Sequence, residues 1–426
     1  MTVGILFGSF FILMLIGIPI AIALGISSLI TIFFATTLDT NIIIQNGFYS
    51  LNDFPLLAIP LFIAAGVLMG SGGISKRLLN LANVLIGYIA GGLAAVTVLA
   101  SMFFAAISGS GPATVAAIGS FMIPDMKKNN YPLGFATALT AAAGSIGVII
   151  PPSIPFVMFG VVGTVSIGSL FLAGIVPGIV MGLCLIAVSL VIAKKNNYVG
   201  TGSPPTIKDV LKALNEAKFA LLVPVIILGG IYAGIFSPTE SAAVAVVYAF
   251  VIGVFVYKEL SFKDLYQSFA SAALSSAVTL IIIGFSVSFA YLMTRERIPV
   301  ILTEFITSIS ESPIVILLLI LLLLLIVGMF IDAISSVVVL TPILLPITSS
   351  IGIDPIHFGV VMVTALSIGY VTPPLGVNLF VASGIGKISF EKVSIAIIPF
   401  LIMLIVALLI IAFVPGLSLF IPNLTN

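Results

Sequence analysis

The sequence predicts an all-α polytopic membrane protein, built as an inverted repeat with two re-entrant hairpins and two broken helices. Three observations carry this. Of the 426 residues, 61% are hydrophobic and 7% charged, and a soluble domain of that composition would be covered in apolar patches. Apolar runs long enough to span a bilayer recur, among them Leu133 to Ile150, Leu170 to Ala193 and Val393 to Val414. The stretch SIGVIIPP at Ser145 to Pro152 returns as SIGYVTPP at Ser367 to Pro374, 222 positions later. The runs are continuously apolar rather than alternating, which argues against a transmembrane β-barrel.

From the N-terminus, Val3 to Ala35 is apolar without a small-residue cleavage site, and it reads as retained helix rather than a signal peptide. Pro19 permits two short helices or one kinked one. Lys76 and Arg77 precede, and Lys127 and Lys128 follow, a segment over residues 91–124. If both basic pairs are cytoplasmic, that segment is a re-entrant hairpin turning at Ser108 to Pro112. A broken helix over residues 133–163 then crosses outward, and Leu170 to Ala193 returns, closing a first repeat at residues 1–197. Lys194 to Lys218 holds five of the fifteen basic residues and a Ser-Pro-Pro break, so residues 198–218 read as a cytoplasmic linker.

In the second repeat, residues 219–426, Lys258 and Lys263 mark the cytoplasm and Gln267 to Met293 runs outward. A hairpin over residues 313–346 enters from outside, and a broken helix over residues 357–385 crosses inward to Lys387 and Lys392. Arg295 and Arg297 then fall outside, a two-residue exception to a statistical rule. The same offset sets Pro124 on Pro346, Pro177 on Pro399, Met181 on Met403 and Ser110 on Asp332. Several coincidences at one offset indicate a duplication. Corresponding elements run in opposite directions, the pattern of secondary transporters.

Irregular backbone at membrane depth is tolerated where it is buried in protein or lines a watery cavity. At each glycine-proline break the helix stops and frees carbonyls, which suit a small hard cation such as Na⁺. The helix after the prolines turns its positive N-terminal end to the same place, where a carboxylate can sit. Hairpin tips add hydroxyls and open backbone at Ser108, Ser110 and Gly111, and again at Gly328, Asp332, Ser335 and Ser336. The expectation is two pseudo-symmetric ion sites with substrate between them. Substrate candidates are Ser110, Pro152 and Ser153 in the first half and Asp332, Pro374 and Asn378 in the second.

Asp332 is the only acid between Pro313 and Ser350. It belongs to the ion site, or it caps the hairpin helix. Glu240 in SPTES reads as a cap near the surface, and His357 as an interfacial histidine. Cys184 is the single cysteine, so no internal disulfide forms, and it reads as a packing residue. No arginine falls at mid-membrane, so a bound anion would be held by dipoles, hydroxyls and cations. Net charge +1 gives no reason to expect nucleic acid; the lipid bilayer is the partner composition requires. A serine hydrolase using Ser110 would need a base, and the sole histidine lies in the opposite half. The chain therefore reads as a non-enzyme. Duplicated closed sites suit alternating access better than a channel.

The stretches SGSGPATVAA, GSIGVIIPPSIP, GMFIDAISSVVVLTPILLPI and GYVTPPLGVNLFV resemble the large membrane (M) subunit of tripartite ATP-independent periplasmic (TRAP) transporters. The resemblance covers nearly the whole chain on four separated motifs. It implies an elevator-type, Na⁺-driven transporter, multi-pass in the bacterial inner (cytoplasmic) membrane. It would import a carboxylate of the sialic acid or C4-dicarboxylate type with two or more Na⁺ ions. A periplasmic substrate-binding protein would deliver the substrate, and a small four-helix membrane subunit would buttress the large one. Because no small-subunit sequence precedes Met1, the unfused type is expected. Carried onto matching positions, one ion site uses Ser108, Gly109 and Gly111 at the hairpin tip with Gly147, Ile150 and Pro152. The other uses Gly328, Gly369, Thr372 and Leu375. The competing reading is a stand-alone Na⁺/dicarboxylate symporter of similar architecture.

Overall fold

The computed structural model describes residues 2–198, 200, 204–301, 304 and 312–424. Those residues form helices joined by turns and short connections, with no strand among them. Seven helices are long and apolar enough to cross a membrane, or eight counting Phe390–Ala396 with Ile398–Phe413, which are bent by 52°.

Thr2–Leu15 and Ile20–Ala35 are separate helices. Gly17 between them sits at φ 87°, a left-handed conformation glycine adopts without strain, and Pro19 starts the second. Three later helices, Ile207–Tyr232, Pro238–Val251 and Phe262–Arg295, open with the same device. Thr206, Ser237 and Ser261 each accept a backbone N–H three residues on, and Asp209, Glu240 and Asp264 accept the cap N–H in return. Such a box satisfies two of the orphan donors at a helix start. Glu240 is thus a cap, as expected. The first box corrects the linker: helix begins at Ile207, well inside the 198–218 stretch, because Thr206 and Asp209 nucleate it. Residues 199 and 201–203 of that stretch lie outside the described part.

The first hairpin consists of Gly92–Ser108 and Gly111–Lys128, the second of Pro313–Phe330 and Ala333–Ser350. Both run past the prolines expected to end them, Pro124 and Pro346. A proline removes one backbone bond from a helix, and here the flanking turn is buried, at Ile123 and Met126 and at Ile347 and Thr348. The broken helices are Leu133–Gly144 with a 3₁₀ turn Ser145–Val148 then Ile154–Gly163, and Pro355–Gly369 then Val377–Gly386. With the 3₁₀ turn counted as part of its helix, each of these bounds recurs within one residue at the 222-position offset, as do cis peptide bonds at Pro151–Pro152 and Pro373–Pro374.

These broken helices form the centre of the molecule. Every residue from Phe135 to Gly144 and from His357 to Gly369 is buried, as befits a helix apolar on all sides. His357, in the first turn of Pro355–Gly369, is buried inside the protein. Its Nδ1 lies 3.2 Å from Ser418 Oγ and its Nε2 3.1 Å from Ala412 O. A histidine can be buried when both ring nitrogens find partners, and the C-terminal helices Ile398–Phe413 and Gly416–Asn423 supply them.

By their packing the helices sort into two groups. Phe54–Ser71, the three capped helices and the N-terminal pair form one. The hairpins, the broken helices, Ile167–Lys195 and the C-terminal helices form the other. Ile74–Ile86 touches both, packing on Ile207–Tyr232 and on Gly92–Ser108. Its Arg77 donates to Glu259 Oε1 at 2.7 Å and to Gly73 O at 2.8 Å, with its Cζ 3.6 Å from the centroid of the Tyr257 ring.

Candidate functional site

Each hairpin tip is pressed onto a break, and glycines allow the approach. Ser108 ends the outer helix of the first hairpin and Gly109, at φ 62°, turns the chain. A methyl group on Gly109 would stand 2.6 Å from Pro152 O, and one on Gly147 would stand 2.6 Å from Ser110 O. Oxygens therefore crowd this seam. Thr114 Oγ1 donates to Ser110 O at 2.8 Å and lies 3.1 Å from Ser108 Oγ. Ser110 is the N-cap of Gly111–Lys128. Of the residues carried over for the first ion site, Ser108, Gly109, Gly147 and Pro152 thus share one seam, and the Ile150 side chain packs toward Gly178 of Ile167–Lys195.

In the second half Gly328 and Gly369 meet backbone to backbone, so closely that a methyl on Gly369 would collide with the Gly328 carbonyl. Thr372 Oγ1 donates to Ile368 O at 2.8 Å, which recaptures one carbonyl of the last turn and leaves its lone pairs free. Ser153 does the same across the first break, donating to Val148 O at 2.5 Å while capping Ile154–Gly163. The breaks differ in cover. Pro151, Pro152 and Ser153 are buried, whereas Pro374 is exposed and Leu375 is 44% exposed.

Asp332 caps the inner helix of the second hairpin. Its Oδ2 accepts from Ser335 N at 3.0 Å and its Oδ1 from Ser335 Oγ at 2.6 Å. Asn378 is buried and reaches into the other half, donating from Nδ2 to Ala141 O at 3.3 Å.

A cavity of about 540 Å³ lies where the two helix groups face one another. One wall is the first hairpin with Ser108, Ser110 and Ser120, joined by Ile154 and Ile334; the other carries Gly66, Ser71, Ser75, Ser275 and Thr279. None of the described residues lining it is charged. Hydroxyls line it, and three helices begin at its edge: Gly111–Lys128, Ile154–Gly163 and Ala333–Ser350. The N-termini of Gly111–Lys128 and Ile154–Gly163 are capped by serine and each carry roughly half a positive charge, whereas the Asp332 carboxylate caps the third. A smaller cavity, about 290 Å³, lies elsewhere along the same divide beside Asp53, Tyr291 and Thr294.

Of the substrate candidates, Ser110 lines the large cavity; Pro152, Ser153 and Asn378 are buried beside it, and Pro374 is on the exposed break. Ser275, Thr279 and Gly66 come from helices that carry no break motif, and nothing in their local sequence marked them. Thr114 was legible, one helical turn after Ser110 in SGSGPAT.

The family described as tripartite ATP-independent periplasmic transporter, DctM component, matches residues 7–417. An isethionate TRAP transporter permease, DctMQ of Oleidesulfovibrio alaskensis, is 48% identical over 98% of this chain, which spans 66% of that relative's length. A C4-dicarboxylate TRAP large permease of Rhodobacter capsulatus is 39% identical over 100% of this chain and 99% of its own. A sialic acid TRAP large permease of Vibrio cholerae is 38% identical, covering 97% and 96%. Among solved structures, the Alcanivorax borkumensis YdaH transporter shares the fold, with a TM-score of 0.65 over 89% of this chain and 90% of that one, at 15% identity. Fold, duplicated breaks and relatives agree, and this chain belongs to the DctM family of TRAP transporters as a large membrane permease subunit.

Proposed function

We propose that this permease carries a small organic anion together with Na⁺ across the bacterial inner membrane, by an elevator-type movement of the hairpin group past the other helices. The observation that carries the reading is the cavity at the hairpin tips, with serine and threonine hydroxyls in its lining, two serine-capped helix N-termini at its edge and no charged side chain among its described lining residues. A cation at each tip would add the positive charge that no arginine provides. The anion class takes in carboxylates of the C4-dicarboxylate and sialic acid types, and also small sulfonates, since the relative at 48% identity is named for isethionate.

Charge placement supports an inward-facing arrangement. The large cavity runs from Ser108 toward Ser71, where Phe54–Ser71 ends, and Ser75, which directly precedes Lys76 and Arg77 in the first turn of Ile74–Ile86. The Arg77–Glu259 pair brings the first turn of Ile74–Ile86 and the loop holding Glu259, both read as cytoplasmic, to the same end of the molecule. The smaller cavity lies toward Arg295.

The partners follow from the family: a periplasmic binding protein that hands over the anion, and a small membrane subunit that widens the stationary wall. Uptake by proteoliposomes tests this. The chain with its small subunit and loaded binding protein should take up anion under an inward Na⁺ gradient. Excess free anion should not replace the binding protein. Robust uptake by this chain alone at micromolar free substrate would instead establish a stand-alone symporter.

A further inference from the structure

Two side chains of the second break reach the first hairpin, and we propose that Tyr370 and Asn378 couple the two hairpin tips, so that a cation at one tip raises the affinity of the other. The proposal rests on the Na⁺ reading above. Tyr370 is 6% exposed. Its hydroxyl accepts the Ala333 N–H at 3.1 Å, a first-turn donor that a helix cannot satisfy from within. The edge of its ring meets the other hairpin: a methyl on Gly111 would lie 3.1 Å from Tyr370 Cδ2. One residue therefore touches the inner helix of both hairpins at its first turn.

Asn378 extends the path. Its backbone N–H donates to Tyr370 O at 3.0 Å, and its Nδ2 donates to Ala141 O of the first broken helix. Its Oδ1 lies 3.3 Å from where a methyl on Gly111 would stand, and is buried without a hydrogen-bond partner. A buried acceptor without a partner is costly. Closing the Gly111 turn over a cation can supply one, and the same shift pushes on the Tyr370 ring. In a close-packed interior such a displacement passes on rather than being absorbed. The contacts from Ala333 through Tyr370 and Asn378 to Gly111 and Ala141 thus form one continuous path between the tips.

Tyr370→Phe keeps the ring and removes the acceptor for Ala333. In Na⁺ titrations of uptake by the full complex, the Hill coefficient should fall from about two toward about one while half-saturating Na⁺ rises about fivefold. Uptake at saturating Na⁺ should stay within about twofold of wild type. Tyr131→Phe, a buried tyrosine away from the tips, should leave the coefficient unchanged. A merely structural role would lower thermal stability or maximal rate but not cooperativity. Should Tyr370→Phe fail to fold, Asn378→Ala should likewise lower the Hill coefficient, read from Na⁺-dependent thermal shifts of the purified chain without substrate. Wild-type cooperativity retained in both variants overturns the coupling and leaves Na⁺ dependence standing. Wild-type uptake indifferent to Na⁺ overturns both.

Discussion

Gly369 lies directly against Gly328, main chain on main chain, where the second broken helix meets its hairpin. Any side chain at either position would separate them. Gly369→Ala should destabilise the chain by about 1–3 kcal/mol through overpacking and reduce uptake at least about tenfold per folded molecule, since a misplacement of about an ångström can cost that much. Wild-type uptake in this variant would show that the seam tolerates a gap.

Cation dependence is the second expectation. Uptake should depend on Na⁺ with a Hill coefficient above one, and Thr372→Val should raise half-saturating Na⁺ because it removes a hydroxyl oxygen and keeps the shape. Full activity driven by protons in the absence of Na⁺ would count against it.

Asp332 separates two roles by substitution. Asparagine caps about as well as aspartate, whereas alanine loses about 1 kcal/mol. Asp332→Asn should therefore keep both melting temperature and Na⁺ affinity, and Asp332→Ala should lower the melting temperature. A Na⁺ affinity lost in Asp332→Asn at unchanged stability would place the carboxylate in the ion site instead.

His357→Ala removes the ring that ties the second broken helix to Ser418 and Ala412. The expected cost is about 2–4 kcal/mol, from two buried hydrogen bonds and the space left behind. Transport per folded molecule should be near normal. Loss of transport at unchanged melting temperature would give the imidazole a direct part in the cycle.

Sidedness can be read by labelling. Lys127, Lys387 and Arg295 are exposed. In a Cys184→Ser background, Arg295→Cys should react with an impermeant thiol reagent from outside, and Lys127→Cys and Lys387→Cys only after permeabilisation. Equal outside labelling of Lys127→Cys and Arg295→Cys would remove the inverted repeat.

The breaks and hairpins were legible because glycine and proline are written into apolar runs where their backbone consequences are local. The duplication was legible because the same residues recur at a fixed distance. The capping boxes were equally readable in TIKD, SPTE and SFKD, and weighing TIKD would have moved the helix start to Ile207. What the sequence could not display is which side chains meet across the halves. Asn378 finds Ala141, and Tyr370 finds Ala333 and Gly111, through tertiary packing alone. The burial of His357 was hidden for the same reason: its partners come from helices 55 and 61 residues further on.

The unequal cover of the two breaks sets an order of events. Ile150 is 9% exposed and the residues after it are buried, whereas Leu375 is 44% exposed. Under the sodium reading, a cation at the second break, beside the exposed Pro374 and Leu375, would exchange while the protein stays still. One held behind the buried Ile150 and Pro152 at the first would leave through the break only when the hairpin parts from its helix. Loading would then begin at the closed break and finish at the open one, and unloading would run in reverse. Exchange of radioactive sodium from a preloaded sample should accordingly resolve into a fast and a slow phase of equal size.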